Sequence, residues 1–450
     1  TYFLGKSARK LTSRHVIITT LVAAAVGVII AGQIGEWVKQ TGLDERYAAR
    51  LTAWSGASMT GPLRSVTMVL LTPQTDVVEL AQRLGVAGVR AGDILTTRAL
   101  HTALLQKLAS AGPRVVAFDI RFRRETPFDQ EFAQAARALK ESGADVIAVL
   151  PAWDTQTDSA PPISPLLAEV FKAGPATFAF EPSLVMYLAV RRLGAESMMS
   201  MALLAVSAYW EPGAVPSAEI FSSGLGSGAS QVIVRFTREK GGVQTAPAHR
   251  IVPISCGIEW HEAPSPNGLK PGDFVGCYYI QIPPDSRLSA SQVEYSKVFS
   301  ASADELRQWF GGKVVLIGDL RPEAGDVVFT LPDGRKLYGV SANALAIDAL
   351  LDGTAIVTDS TVSIGGWGIG TRVLFATVAG LAGALVGAAF WTSAIRRLSV
   401  VALLIMLVIV ASLLMYRAAQ MLIPPTWSVL SVIATSELSA ALARVRRPNV

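Results

Sequence analysis

"HTALLQKLASAGPRVVAFDIRF" (residues 101–122) places a segment with helical periodicity, a Gly-Pro break and an apolar strand in direct succession. The apolar residues of its first half recur at helical spacing, whereas "VVAF" is a continuous apolar run, typical of strands that are buried on both faces. A second amphipathic helix is expected at 128–143, and a second apolar strand follows at 144–150. This alternation of helices and strands predicts an α/β sheet.

The same pattern continues on either side of this stretch. We expect strands at 66–71 and 312–319, and helices at 182–194 and 339–353. Together these segments predict one large α/β domain with a mixed sheet, which occupies residues 39–361.

Both ends of the chain are apolar enough to enter a membrane. The chain has 450 residues, of which 51% are apolar and only 17% charged, so part of it is expected in lipid. Four segments are long enough to cross a bilayer, namely 16–35, 371–391, 398–416 and 421–442. The first is interpreted as a retained anchor, because its apolar run lacks the cleavage site of a signal peptide. The apolar segment 197–210 is too short to cross and is interpreted as a core helix.

The basic residues predict how these spans are oriented. They concentrate in the leader (1–15), in the loop that holds Arg396 and Arg397, and in the tail (443–450). Loops rich in Lys and Arg stay in the cytoplasm, so both termini are expected there and the large domain is expected outside. The chain is therefore predicted to be a multi-pass membrane protein whose residues 39–361 lie outside the cytoplasmic membrane. Its net charge of +5 forms no stripe, which argues against nucleic acid as a partner.

Four carboxylates are candidates for a ligand-binding rim. Asp119, Asp129, Asp319 and Asp326 follow predicted strands or open the next element. Ligands of open α/β sheets bind beyond the carboxyl ends of the strands, so Asp119 and Asp319 are expected on one rim. In the other interpretation each carboxylate anchors its own loop. Asp119 would then accept N–H bonds from the turn that follows it or pair with Arg121, Arg123 or Arg124. No nucleophile lies at a catalytic spacing from a base, so the chain is not expected to be an enzyme.

Two further groups of residues have open interpretations. Cys256 and Cys277 lack CxxC spacing and paired histidines, so neither a metal nor another cofactor is expected. In an oxidising compartment they form either a disulfide or two buried thiols. In the second span, Gly380, Gly383 and Gly387 form either a helix-packing face or an ordinary feature of apolar composition.

Several of these stretches resemble the type-2 CHASE domain, an extracytoplasmic sensory domain associated with cyclases and histidine kinases. The resemblance rests on the order and spacing of "HTALLQKLASAGPRVVAFDIRF", "DQEFAQAA", "PSLVMYLAVRRLG", "GKVVLIGD" and "YGVSANALAIDALLDG". The three predicted spans after the domain also fit, including "IPP" at the start of the last one.

The resemblance implies a sensor of the bacterial cytoplasmic (inner) membrane with a periplasmic domain. Its external domain would recognise a signal or a partner and pass the change through the spans to a cytoplasmic signalling partner. No output module is recognisable in the sequence, which keeps a second interpretation open. In that interpretation the chain is a structural or accessory subunit of a larger membrane complex, and the sensor-like domain docks other subunits. The expected partners are the lipid bilayer and either such subunits or further copies of the chain.

Overall fold

The structure, a computed structural model, describes most of the chain. The described residues are 14–39, 47, 50–51, 59–150, 163–176, 178–181, 184–193, 196–222, 230–237, 239–240, 243–244, 248–252, 255–259, 274–326, 328–331, 334–356, 361–364, 367–419, 423 and 425–445. Most of the predicted basic leader and the last five residues of the predicted tail lie outside them, as do the side chains of some residues within the elements.

The helices and strands follow the chain in this order. The α-helices are α1 (Arg14–Lys39), α2 (Val77–Leu84), α3 (Arg98–Ala109), α4 (Asp129–Glu141), α5 (Pro165–Ala168), α6 (Met201–Trp210), α7 (Asp285–Ser289), α8 (Tyr295–Ser300), α9 (Ala303–Phe310), α10 (Gly339–Leu351), α11 (Thr371–Ala389), α12 (Ala394–Ala419) and α13 (Thr426–Val445). The strands are β1 (Val66–Leu71), β2 (Val115–Asp119), β3 (Asp145–Val149), β4 (Lys172–Gly174), β5 (Phe178–Glu181), β6 (Leu184–Leu193), β7 (Glu196–Met199), β8 (Val215–Ser222), β9 (Ser230–Thr237), β10 (Glu239–Lys240), β11 (Val243–Gln244), β12 (Ala248–Val252), β13 (Ser255–Glu259), β14 (Phe274–Ile280), β15 (Gln292–Glu294), β16 (Val314–Asp319), β17 (Val328–Thr330), β18 (Lys336–Tyr338), β19 (Thr361–Ile364) and β20 (Trp367–Gly370). Short 3₁₀ helices lie at Ile94–Thr97 and Pro322–Ala324.

The chain divides into two compact units. One consists of Thr1–Leu51, Ser223–Ala229 and Val357–Val450, and the other of Thr52–Ser222 and Ser230–Ile356. The first holds the long apolar helices, and the second is the α/β domain. We call them the helical unit and the α/β unit.

A parallel sheet forms the centre of the α/β unit. Its strand order is β15-β1-β16-β2-β3-β4, and each neighbouring pair runs parallel. Residues of β1 are buried on both faces, because Val66, Met68 and Leu70 enter one core while Val69 and Leu71 enter the other. Burial on both faces explains why this strand is apolar throughout rather than alternating.

Helices pack on both faces of this sheet, but the two faces differ. On one face, α2, α3, α4 and α9 turn an apolar side toward the sheet and a polar side toward solvent. On the other face, α6 is buried from Met201 to Ala208 and α10 is buried from Gly339 to Leu350. These two helices share one core with the parallel sheet and with strands β6 and β14 of an antiparallel sheet. Because they lie between two sheets, α6 and α10 are apolar all round.

The antiparallel sheets are separate from the parallel one. Strands β13-β14-β6-β5 form one such sheet and β12-β9-β8 another. The domain is therefore α/β as expected, but its parallel and antiparallel strands do not share one mixed sheet. The apolar segment 197–210 contains α6, a core helix of the α/β unit.

The prediction of a helix at 182–194 is wrong. This segment contains β6, which pairs antiparallel with β5, β7 and β14. Alternate residues Val185, Tyr187 and Ala189 enter the core, which is the period-2 pattern of a strand. The pairing with strands on both sides outweighs the helical interpretation of the local sequence.

The helical unit contains candidate membrane spans. Among the described residues, Ala394–Ala418 and Thr426–Arg444 are long and apolar enough to cross a bilayer, and they overlap the predicted third and fourth spans. Helices α1 and α11 overlap the predicted first and second spans, but the apolar segments described in them, Thr20–Ala31 and Val373–Ala389, are shorter. The four-span count therefore stays a prediction.

Glycines lie where the helices of this unit approach most closely. A Cβ atom at Gly383 would lie 2.5 Å from the Val432 carbonyl oxygen of α13, and one at Gly387 would overlap the Ser436 carbonyl oxygen. At Gly380 a Cβ atom would meet a methyl group of Val28 on α1, 2.8 Å away. Gly383 and Gly387 let α11 contact the backbone of α13 directly, whereas Gly380 makes room for a side chain of α1.

One ion pair joins two helices of the same unit. Arg397 of α12 donates from Nε and Nη2 to the two carboxylate oxygens of Glu437 on α13, at 3.0 and 3.2 Å. Such a bidentate pair fixes the geometry of both side chains as well as their charge.

The cysteines lie in neighbouring strands of the α/β unit. Cys277 on β14 is buried and disulfide-bonded. Strand β13, which contains Cys256, pairs with β14 so that Ser255 lies opposite Cys277. Cys256 is the one other cysteine of the sequence, and its side chain lies outside the described part of the chain.

Candidate signal-binding pocket

A pocket opens where β2 and β16 end, at the carboxyl edge of the parallel sheet. The two strands are direct neighbours, and Gly318 lies opposite Asp119 in their register, so Asp119 and Asp319 leave the sheet at one edge. The pocket has a volume of about 100 Å³. Its lining comes from the 3₁₀ helix Ile94–Thr97, the first residue of α3, the end of β2 with the residues that follow it, and the end of β16 with its following loop. The lining residues are Ile94, Leu95, Thr97, Arg98, Asp119, Ile120, Arg121, Phe122, Asp319, Ala324, Gly325 and Asp326.

Asp319 holds the loop that follows β16. It accepts a hydrogen bond from the backbone N–H of Arg321 at 3.1 Å. The Arg321 guanidinium donates to both of its carboxylate oxygens, from Nε at 2.9 Å and from Nη2 at 2.6 Å. Both side chains are buried, and each neutralises the other. Asp319 therefore lines the pocket and also fixes the loop that follows β16.

Asp129 lies outside the pocket lining, where it holds Arg98. It forms a buried ion pair with Arg98 and accepts hydrogen bonds from Thr126, at 2.6 Å, and from Ser164. Burial alone would raise the pKa of Asp129, but the bonds from Ser164, Thr126 and Arg98 outweigh it and lower the pKa below its usual value. Asp129 therefore stays charged and fixes the side chain that lines the pocket.

Asp119 has its hydrogen-bond partner on a different element from its own turn. Asn343, which is fully buried on α10, donates from Nδ2 to Asp119 Oδ2 at 3.0 Å. Asn343 Oδ1 accepts from the Tyr187 hydroxyl at 2.9 Å, and that hydroxyl accepts from the backbone N–H of Ala202 at 3.3 Å. Asp119 therefore takes its hydrogen bond from Asn343 and not from the turn that follows it, whereas the charge of Arg121 in that turn does act on Asp119.

These hydrogen bonds form a chain in which every donor points toward Asp119. The chain starts at Ala202, whose backbone N–H lies in the first turn of α6, where the helix dipole is positive. Burial raises the pKa of Tyr187, so its hydroxyl keeps the proton that it donates to Asn343. Hydrogen bonds in such a chain polarise one another, so the negative charge of Asp119 is stabilised through three other residues.

Asp119 titrates near neutral pH. Burial, and next the charge of Asp326, raise its pKa from 3.8 to about 7, against the opposing effects of the Asn343 hydrogen bond and the Arg121 charge. Asp326 also lines the pocket. The charge of one pocket carboxylate, Asp326, thus disfavours the charged form of another, Asp119.

Behind the pocket lies an aromatic cluster around His101. The rings of Phe118, Phe122, Phe132 and Tyr295 surround this histidine, with ring centroids 5.5 to 6.4 Å away. His101 Nδ1 lies 2.9 Å from the Tyr295 hydroxyl. Burial, and next the charges of Arg321 and Arg98, lower the pKa of His101 from 6.5 to about 3. His101 is therefore a neutral residue of the core.

The helix that contacts Asp119 also holds Ser65, the residue before β1 in the first part of the α/β unit. Asp348, five residues after Asn343 on α10, accepts a hydrogen bond from the backbone N–H of Ser65 at 3.1 Å. Just after α10, Asp352 accepts from the Ser65 hydroxyl at 3.3 Å. Arg287 also pairs with Asp348, at 3.2 Å. One helix thus contacts the pocket near its beginning and the residue before β1 near its end.

The structure brings together three of the four predicted rim carboxylates, Asp119, Asp319 and Asp326. Sequence reasoning missed Asn343 and Tyr187, which lead to Asp119, and Arg321, which holds Asp319. It also missed Arg98, which lines the pocket and pairs with Asp129. Of these residues, only Asn343 could have been noticed in the sequence, because it is an amide within the apolar run "GVSANALAIDALL". Among the described residues, no group of three or more His, Cys, Asp or Glu side chains is arranged to hold a metal ion.

The fold and the pocket define a class, an α/β domain with a pocket at the carboxyl edge of its parallel sheet, joined by the chain to apolar helices that are candidate membrane spans. The family model that matches is the CHASE2 domain, and the match covers residues 21–385. The chain belongs to the CHASE2 family, whose domain is an extracytoplasmic sensory domain. No curated protein and no solved structure matches the chain.

Proposed function

We propose that this chain is a multi-pass sensor of the bacterial inner membrane. The α/β unit lies in the periplasm, binds a small signal molecule in the pocket at the ends of β2 and β16, and passes the change to the spans. The chain crosses the membrane four times and is not itself an enzyme. It acts on a cytoplasmic signalling partner and assembles with other membrane subunits or with further copies of itself.

The contact between the pocket and α10 supports this proposal best. Asn343 binds Asp119 in the pocket, while Asp348 and Asp352 bind Ser65. Ser65 directly precedes β1, and the chain leaves the α/β unit at Ile356, shortly after α10. A shift of α10 on binding would therefore reach both ends of the domain, from which the chain continues to the helical unit.

Binding in the pocket is tested with matched tryptophan variants. The full chain in lipid nanodiscs is screened for small amino acids, organic acids, amines and sugars that raise its unfolding temperature. Ala324→Trp fills the pocket and should abolish the shift for each binder, whereas Val328→Trp, at an exposed position outside the lining, should preserve it. Binders that Ala324→Trp leaves unaffected would contradict the proposed site.

Topology is tested separately with reporter fusions. Reporters that are active outside the cytoplasm should work only within 39–361 and near 417–420, and both termini should face the cytoplasm. An external C-terminus would contradict the four-span arrangement. If the chain is isolated in a stable complex that also forms with the pocket variants, the interpretation as an accessory subunit is favoured instead.

A further inference from the structure

Two ion pairs already neutralise several of the charged side chains in and behind the pocket. Asp319 binds Arg321, Arg98 binds Asp129, and each of these side chains is less than one-tenth exposed. A ligand that bound one of them would leave its partner as a buried charge without a counter-ion, which is costly. Asp326 also lines the pocket, but it has interactions of its own. None of these residues is therefore assigned to a ligand.

Asp119 and Arg121 are the other charged residues of the lining. Asp119 accepts a hydrogen bond at Oδ2 from the neutral amide of Asn343, so its Oδ1 can accept from a ligand. Arg121 is exposed. Within the part of the chain that the structure describes, neither its guanidinium nor the Asp119 carboxylate forms an ion pair. The pocket thus offers a carboxylate and a guanidinium that are not paired with each other.

These two groups are close enough for one small molecule to bind both. Arg121 follows Asp119 by two residues, which span about 7 Å in an extended chain. Asp119 ends β2 and is partly buried, whereas Arg121 is exposed and has the longer side chain. A carboxylate pairs with an ammonium group, and a guanidinium binds a carboxylate through two parallel hydrogen bonds. The two residues therefore fit a molecule that carries an ammonium group and a carboxylate a few bonds apart.

We infer that the pocket binds a free amino acid with a small side chain, its ammonium group on Asp119 and its carboxylate on Arg121. The cavity of about 100 Å³ is smaller than the ~300–1,000 Å³ of pockets that hold drug-sized ligands. Apolar side chains of Ile94, Leu95 and Phe122 line it and suit a small apolar group. The inference rests on the proposed function and deepens it, because it names the chemical class of the signal.

The first test compares amino acids with molecules that lack one of their charged groups. The full chain in lipid nanodiscs is titrated calorimetrically with glycine, L-alanine, L-serine and L-valine. Each has an amine analogue without the carboxylate and an acid analogue without the ammonium group, which for L-alanine are ethylamine and propionate. Burial raises the pKa of Asp119 to about 7, so titration at about pH 8 keeps most of its carboxylate charged. We expect at least one amino acid to bind, and both of its analogues to bind at least about tenfold more weakly. If none of the four binds, the inference is overturned.

The second test assigns each charge of the ligand to one residue. Asp119→Asn should weaken amino-acid binding at least about tenfold and remove the preference for the amino acid over its acid analogue. Arg121→Gln should weaken binding to a similar extent and remove the preference over the amine analogue. Arg123→Gln, at an exposed arginine of the same loop outside the lining, is the matched control and should leave binding unchanged. Asp304→Asn, at an exposed carboxylate of α9, is the matched control for Asp119→Asn.

The outcomes separate the class of ligand from the sensor itself. An amino acid whose affinity is unchanged in Asp119→Asn and in Arg121→Gln overturns the proposed contacts. Because Arg121 is exposed, Arg121→Gln should fold as the wild type does, and its result decides if Asp119→Asn is unstable. A ligand of another class whose binding Ala324→Trp abolishes would overturn the amino acid and leave the proposed sensor intact. An amino acid that still binds to Ala324→Trp would contradict the pocket in both proposals.

Discussion

The Asn343 amide and the Asp119 carboxylate are 224 residues apart in the sequence and 3.0 Å apart in the fold. One lies on a helix enclosed between two sheets, and the other ends a strand of the parallel sheet at the pocket. Their hydrogen bond is the direct polar contact between the pocket and α10. An amide is suited to this place, because it accepts from Tyr187 on one side and donates to Asp119 on the other.

Replacing Asn343 with Ala should destabilise the α/β unit. The substitution takes an acceptor from Tyr187, which is buried in the core, and a donor from Asp119, which is partly buried at the pocket. We expect the free energy of unfolding to fall by about 3 kcal/mol, measured by urea titration of the full chain in detergent. Ser341→Ala, on the same buried helix but outside this chain of hydrogen bonds, should cost less than about 1 kcal/mol. Equal effects of the two substitutions would show that the hydrogen bonds contribute little.

Replacing Arg98 with Met should destabilise the domain more strongly than the same change at Arg137. The Arg98–Asp129 pair is buried, with 3% and 1% of the side chains exposed, so Arg98→Met leaves a buried charge without its cation. Removing one partner of such a pair costs about 3–5 kcal/mol. Arg137 pairs with Glu169 at 3.0 Å on the surface, where an ion pair is worth at most about 1 kcal/mol. Similar unfolding midpoints for the two variants would contradict this ranking.

His101 should make the domain less stable in acid. Its pKa is about 3 in the folded chain and near its usual 6.5 in the unfolded chain. Between these values the unfolded state binds more protons, so the stability that His101 contributes is lost as the pH falls from 6.5 toward 3. His101→Phe keeps an aromatic ring in the cluster but removes the titration.

The measurement is a comparison of urea unfolding at several pH values. The stability of the wild type relative to His101→Phe should fall by about 1.4 kcal/mol for each pH unit well below 6.5. Asp119 acts in the opposite direction, since its raised pKa makes the stability that it contributes fall as the pH rises from 3.8 to about 7. That contribution is common to both proteins and cancels in the difference. Parallel pH profiles would mean that His101 titrates normally in the folded state.

The parallel sheet was predictable because its strands carry their signal locally. "VTMVLL", "VVAFD" and "VVLIGD" are continuous apolar runs, and the last two end on an acid at the strand terminus. Since parallel strands end at one edge, their carboxylates could be assigned to a common rim before the fold was known. The positions of Asp119 and Asp319 follow from this rule.

What the sequence left undetermined depends on pairing between distant segments. The local sequence of residues 184–193 does not determine their secondary structure. They form a strand because they pair with β5 and β14. The antiparallel sheet that contains β6 and β14 covers α10, so Asn343 is buried. The hydrogen bond from Tyr187 directs the amide nitrogen of Asn343 toward the pocket. The hydrophobic periodicity of the sequence does not predict which of the many carboxylates will accept a hydrogen bond from a buried amide.

Glycines at the contact between α11 and α13 should differ in their tolerance of a methyl group. A Cβ atom at Gly387 would overlap the Ser436 carbonyl oxygen, and backbone cannot move aside without separating the helices. At Gly380 the obstacle is a methyl group of Val28, 2.8 Å away, at the end of a side chain that can shift. We expect Gly387→Ala to lower the free energy of unfolding by about 2 kcal/mol, the cost of overpacking. Gly380→Ala should change it by less than about 1 kcal/mol, since the helical preference of Ala offsets part of the crowding. Unfolding of the full chain in mixed micelles compares the two, and a Gly387→Ala variant as stable as Gly380→Ala would show that α11 and α13 are not in backbone contact in the membrane.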